Sequence, residues 1–202
     1  MAPAPKYSRL TSEHRRAALE EAALTCMARG GILAFTIDNV CKEAGVSRGL
    51  ITHHFQSKDG LLVAVYANMY AKSIAAIDAP RPGLSRIAAM IEASFAPEMF
   101  SRDVLNIWLT LWGEIANNPV LQAEHRRQYA AYVVNVTAAI DEIATARALT
   151  LDTDALARAF IALVDGLGLQ RCIEPRLMTP EAAKAACHTL LEPHLGPLGA
   201  VG

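Results

Sequence analysis

The chain has 202 residues, 52% of them apolar and 19% charged, with 19 Lys/Arg set against 20 Asp/Glu. A chain this long can bury about 70% of its unfolded surface, and its composition favours a well-packed helical protein over a disordered one. The formal net charge of −1 excludes a uniformly basic nucleic-acid binder, so any such contact must come from a local cluster.

Residues 1–11 read as a short flexible arm, because MAPAPKYSRLTSEHRR lacks the apolar core of a secretory signal. A first helix is expected from about Ser12 to Arg29, with Leu19, Ala22, Ala23, Cys26 and Met27 as its buried stripe and Gly30-Gly31 as its stop. Thr36 then caps a helix of about two turns whose apolar face is Ile37, Val40, Cys41 and Ala44. Gly45 occupies the position that tolerates a left-handed backbone. Val46 plugs the turn and Ser47 caps the next helix. In that helix Leu50, Ile51 and Phe55 can face inward, leaving Arg48, Gly49, Thr52 and His53 outside. Short polar and basic side chains of this kind suit close approach to base edges and phosphates. Helix, glycine turn, helix is the outline of a DNA-reading helix-turn-helix, though an ordinary helical hairpin shares it.

A longer helix follows over about 57–78, carrying Leu61, Leu62, Val65, Tyr66, Met69 and Tyr70. Ser57 and Lys58 at its start can hold a phosphate through free amides and a charge. Pro80-Arg81-Pro82-Gly83 breaks the chain. Further helices are expected at roughly 84–96, 102–117, 119–147, 153–173 and 180–194. Pro119 and Pro180 fit the first helical position, behind Asn118 and Thr179 as caps. The fold class is all-α, with no apolar run near 18 residues free of charge and so no expected membrane span.

The stretch from Thr36 through Ala44-Gly45-Val46-Ser47, Gly49, His54-Phe55, Ser57-Lys58 and Leu61-Leu62 resembles the DNA-binding domain of the TetR family of bacterial repressors. Many members carry tyrosine two residues before the histidine of the His54-Phe55 pair, where this chain has Thr52. A hydroxyl is kept and an aromatic ring is lost. Gly49-Leu50-Ile51-Thr52-His53-His54-Phe55 is more like the BetI-type branch, choline-responsive repressors of betaine synthesis. The likeness runs the whole chain, but only residues 12–66 hold a specific motif. Beyond residue 102 it rests on Trp108-Leu109-Thr110-Leu111-Trp112 and Leu163-Val164-Asp165-Gly166-Leu167. The resemblance implies a three-helix DNA-binding domain at 12–66, a helical effector-binding and dimerisation domain at 67–202, and a cytoplasmic repressor released from a palindromic operator by a small molecule. The DNA-contacting set would be Thr36, Ser47, Arg48, Gly49, Thr52, His53, His54 and Lys58. Regulation of efflux or catabolism through an apolar ligand remains open at this point, as does a helical interaction module without DNA binding.

A helix-turn-helix monomer reads one half-site, so useful affinity needs a dimer. The segment 153–173 is apolar nearly all round, too much so for one face against a single core. With the last helix it could form a four-helix bundle between subunits, through Leu156, Phe160, Leu163, Leu167 and Leu190; a central position in a monomer is the alternative. Trp108 and Trp112 lie four apart, Phe95, Met99 and Phe100 lie upstream, and Tyr129 and Tyr132 lie on the next helix. With Asp165, and with Asn106, Glu114 and Gln170 as further polar lining, they make a box for a quaternary ammonium through cation–π attraction. A Trp–Trp pair at helical spacing also serves as plain core.

Residues 1–60 hold eight Lys/Arg and six Asp/Glu, residues 61–202 eleven and fourteen. Arg9, Arg15, Arg16, Arg48 and Lys58 could therefore gather phosphate contacts at one end, binding that weakens as salt rises. Cys26, Cys41, Cys172 and Cys187 show no metal-ligand spacing and read as small apolar groups, reduced in the cytoplasm. No nucleophile elbow, phosphate loop, HExxH or cofactor motif is present, and His125 and Glu124 read as a solvated pair, so catalysis is not expected.

Overall fold

The computed structural model describes residues 11–199. The expected arm, Thr11 apart, and Arg9 lie outside the described residues. Among the described residues nine helices follow one another: α1 (Ser12–Ala34), α2 (Ile37–Ala44), α3 (Arg48–Phe55), α4 (Lys58–Ile77), α5 (Arg86–Ser94), α6 (Arg102–Ile115), α7 (Pro119–Ala146), α8 (Thr153–Ile173) and α9 (Pro180–Leu195). The described residues hold no strand, only one isolated antiparallel bridge between Leu84 and Gly199.

Side-chain caps set most of these starts. Thr11, Thr36, Ser57, Ser85, Ser101, Asn118, Asp152 and Thr179 each accept a backbone N–H of the first turn they precede, satisfying donors that the helix cannot. Ser47 is the exception: it holds the cap position of α3 in extended conformation but makes no side-chain cap bond. α5 begins at Arg86, two residues later than its apolar pattern predicts. The cause is Ser85, which caps the helix and donates 2.7 Å to the Leu198 carbonyl, while Leu84 bridges to Gly199.

α1 breaks where the sequence predicts, at Gly30 and Gly31, the latter at φ 60, ψ −150, and one further turn continues to Ala34. The Asn106 side chain of α6 covers the break, donating 2.8 Å to the Ala28 carbonyl. Gly45 ends α2 at φ 65, ψ 34, the left-handed conformation that glycine adopts without strain.

Two apolar cores result. One joins Leu19, Met27, Phe35, Val40, Ile51, Phe55, Leu61, Val65, Tyr66 and Tyr70 of α1–α4 with Ile107, Leu111 and Leu121 from α6 and α7. The other gathers Ile87, Met90, Ile91, Phe95, Val136, Ile140, Phe160, Ile161, Cys187 and Leu191, and α4 enters it through Ile77. The first core therefore runs past residue 66 and borrows from the second half of the chain. α4 is long and apolar enough to cross a membrane by length and composition; here its apolar side chains fill the two cores instead. Cys26, Cys41 and Cys187 are buried free thiols, and burial raises their pKa, that of Cys187 to about 12. Such thiols are inert fillers.

Candidate functional site

At one end of the molecule α2 and α3 form the expected pair. Ile51 and Phe55 face the core, while Ser47, Arg48, Gly49, Thr52 and His53 are exposed on α3. Ser47 is exposed and its hydroxyl caps no amide, so the start of α3 lacks its usual side-chain acceptor and could take an anion in its place. Arg48 pairs with Asp38 of α2 at 2.5 Å, with both side chains well exposed. An exposed pair is worth about 0–1 kcal/mol, so a phosphate can displace it cheaply. Thr36 is exposed but caps α2, accepting from Asn39 N–H at 3.2 Å. Lys58 is exposed with its ammonium 5.3 Å from the Phe35 ring, anchored over the core rather than extended.

His54 departs from expectation. It is half-buried, its Nε2 is enclosed without a partner, and burial lowers its pKa. Its carbonyl accepts from the Arg16 guanidinium, which lies 4.7 Å over the Phe55 ring. His54 and Arg16 thus join α3 to α1, and of the two histidines only His53 is exposed. The reason is register: His54 lies about 100° further round the helix than His53, on the flank that Arg16 of α1 covers.

The second feature is a cavity of about 110 Å³ between α4, α5, α6, α7 and α8. Phe95, Met99, Trp108, Trp112, Tyr129, Tyr132 and Asp165, seven residues named from sequence, all line it. Trp108 and Trp112 stack with centroids 6.0 Å apart, and Tyr70 meets Trp108 edge-on at 5.7 Å and Tyr132 at 6.4 Å. Asp165 borders this ring cluster from α8. Part of its surface is exposed, yet burial of the carboxyl raises its pKa to about 6. No lysine or arginine lines the cavity among the described residues. Asp165 in turn pushes the phenols of Tyr66, Tyr70 and Tyr132 upward, behind the larger effect of burial.

Other polar expectations fail. Asn106 faces α1 rather than the cavity, Gln170 is exposed, and Glu114 is not part of the lining. His125, expected in solvent, lines the cavity and joins Tyr66 Oη at 2.8 Å through Nδ1, with burial lowering its pKa. Its position four residues before Tyr129 on one helical face was the available signal. Tyr70, Ser73, Ile74 and Ile77 add a wall from α4 to which the sequence reading gave no part in the cavity.

For the subunit contact, Leu156, Phe160 and Leu167 are 8%, 0% and 6% exposed inside the subunit's own core, and Leu163 and Leu190 pack against it. The uncovered face of α8 is instead Ala155, Ala159, Ala162, Leu169 and Ile173, beside Ala182, Ala185 and Thr189 of α9. A helix that looks apolar all round buries Leu156, Phe160 and Leu167 inward and leaves three alanines with Leu169 and Ile173 outside.

Known proteins share this arrangement. Residues 19–65 match the tetR family of bacterial regulatory proteins, and residues 83–196 match the BetI-type transcriptional repressor C-terminal family. The HTH-type transcriptional regulator BetI of Rhizobium meliloti (strain 1021) is 28% identical over 185 residues, covering 90% of this chain and 89% of that protein. Its namesake from Burkholderia mallei (strain NCTC 10229) is 29% identical over 194 residues, covering 92% and 95%. A transcriptional regulator from Pseudomonas aeruginosa PAO1, known by crystal structure, superposes with TM-score 0.77 at 31% identity over 93% of each chain. A regulator from Saccharomonospora viridis, crystallised in complex with choline, gives TM-score 0.75 at 24% identity, covering 90% and 97%. With a TetR-type reading head and a BetI-type second half, this chain belongs to the TetR family and is a DNA-binding transcriptional regulator, not an enzyme.

Proposed function

We propose that the protein is a cytoplasmic repressor that binds a palindromic operator as a homodimer and leaves it when a small organic cation, of the quaternary ammonium class, enters the cavity. The observation that carries the cation is Asp165, a carboxylate bordering aromatic rings with no lysine or arginine in the lining among the described residues. A cation supplies the missing counter-charge and gains from the faces of Trp108, Trp112 and Tyr70. A volume of about 110 Å³ lies below the range of drug-sized pockets, about 300–1,000 Å³, and favours a compact ligand. The choline complex of the S. viridis regulator supports the same class.

DNA would be met by Ser47, Arg48, Gly49, Thr52 and His53 of α3, with Thr36 and Lys58 flanking. The uncovered faces of α8 and α9 would meet a second copy, since small side chains permit close helix approach and the heads must sit about 34–36 Å apart. Release follows from differential affinity: a ligand that favours another tilt of α4 draws the dimer away from operator spacing.

The test is calorimetry of the dimer with choline, together with a salt-dependent mobility shift on the promoter beside its own gene. Binding of choline that abolishes the shift is expected. No heat and no release would remove the cation reading. Arg48→Ala should weaken the shift without altering the dimer, and an unaltered shift would reassign the reading helix. An apolar ligand is the second reading, favoured by the raised Asp165 pKa, which lets the carboxyl become neutral near pH 6.

A further inference from the structure

Ser73 lies on α4, two turns beyond Tyr66 on one helical face, and lines the cavity. It is 8% exposed, and its hydroxyl has no hydrogen-bond partner. That is unusual for a helical hydroxyl, which ordinarily bonds the carbonyl one turn back. Thr25, Ser94, Thr110 and Thr189 all do so in this molecule, donating to Glu21, Met90, Asn106 and Ala185. Thr137 is also unpartnered, but it lies away from the cavity. Among the described residues Ser73 is the one lining residue with an enclosed polar atom left unpaired. An unmade bond in an apolar enclosure is costly, and alanine would serve the helix better.

We propose that Ser73 is a specificity-determining residue: turned about χ1 from its enclosed, unpaired position, its hydroxyl hydrogen-bonds the polar tail of a small cation and so separates that cation from a plain tetraalkylammonium. This rests on the cation reading of the cavity. The cavity is small enough that a ligand seated among Tyr70, Trp108 and Asp165 extends along α4 to the next turn, where Ser73, Ile74 and Ile77 wait. Ile74 and Ile77 give that end nothing polar. Ser73 there separates cations that differ only in one hydroxyl, since a buried group left unpaired by the wrong ligand penalises it.

Isothermal titration of the full-length protein with choline and with ethyltrimethylammonium, the same cation with hydrogen in place of the hydroxyl, tests this. The wild type is expected to bind choline about ten-fold more tightly, the worth of one neutral hydrogen bond. Ser73→Ala is expected to bring choline down to the level of ethyltrimethylammonium and leave the latter unchanged, with a melting temperature at or above wild type that certifies the fold. Equal wild-type affinities, or undiminished discrimination in the alanine variant, would overturn the role of Ser73 while the cation site stood. Failure of both cations to bind would overturn the cation reading and this proposal with it.

Discussion

Gly60 admits no side chain. A Cβ there would lie 2.0 Å from the Phe55 carbonyl oxygen, a backbone atom that cannot swing aside, at the corner between α3 and α4. Gly60→Ala is expected to cost at least about 2 kcal/mol and to lower operator affinity, read by thermal denaturation and fluorescence anisotropy. Gly49 is the contrast. A Cβ there meets nothing nearer than Ser47 Oγ at 4.0 Å, so Gly49→Ala should gain up to about 1 kcal/mol of helix stability. If DNA approaches α3 closely, the same change weakens operator binding; a stabler variant that binds as well as wild type would show that the approach is loose.

Asp165 sets a pH dependence. Its folded pKa of about 6 exceeds the unfolded value of about 3.9, so the unfolded chain loses its proton first. The ligand-free protein therefore loses stability as pH rises between these values, and the loss is complete above the folded pKa. A bound cation reverses the penalty. Choline affinity should rise from about pH 5 to about pH 7 and then level off, and Asp165→Asn should flatten the titration. Burial lowers the pKa of His125, which keeps it neutral over the upper part of that range. Equal wild-type affinities at both ends would show that Asp165 is not the counter-charge.

At the scale of elements, α4 is the link between the two cores. It starts beside the reading helix, passes through both cores, and carries Tyr66, whose hydroxyl meets His125 at the edge of the cavity. Tyr66→Phe removes that bond and little volume. Operator affinity and choline affinity are each expected to stay near wild type, while the choline needed to release DNA rises several-fold, the size of a typical coupling energy. Unchanged release would place the coupling elsewhere, with the Asn106 grip on α1 as the next place to look. These helices were largely legible in the chain, because Thr36, Ser57, Asn118 and Thr179 announce their starts and Gly45 and Gly30-Gly31 their stops. Side-chain facing was less so. His54 turns inward and His125 faces a cavity because helix–helix contact decides which flank is covered, and periodicity alone cannot rank two flanks of similar polarity.

For the whole molecule, the same limit governs the subunit contact. Length and apolarity mark α8 as a helix for two partners, but volume decides which face each would receive. Phe160→Ala should cost the subunit about 3–5 kcal/mol, since Phe160 is fully buried. Ala159→Glu should leave subunit stability within about 0.5 kcal/mol and yet disrupt dimers held by a close small-residue contact. Sedimentation velocity separates the two outcomes, and a dimeric Ala159→Glu protein would move the contact to another face.

The three side chains that α6 and α7 lend to the first core, Ile107, Leu111 and Leu121, bear on how such regulators can be recombined. Grafting this reading head onto a foreign sensor by cutting at Pro80 would leave a notch where those side chains stood, and the foreign helix would have to refill it. A chimera works only if the incoming sensor matches that notch in shape. A head and a sensor of this design therefore fold as a fitted pair.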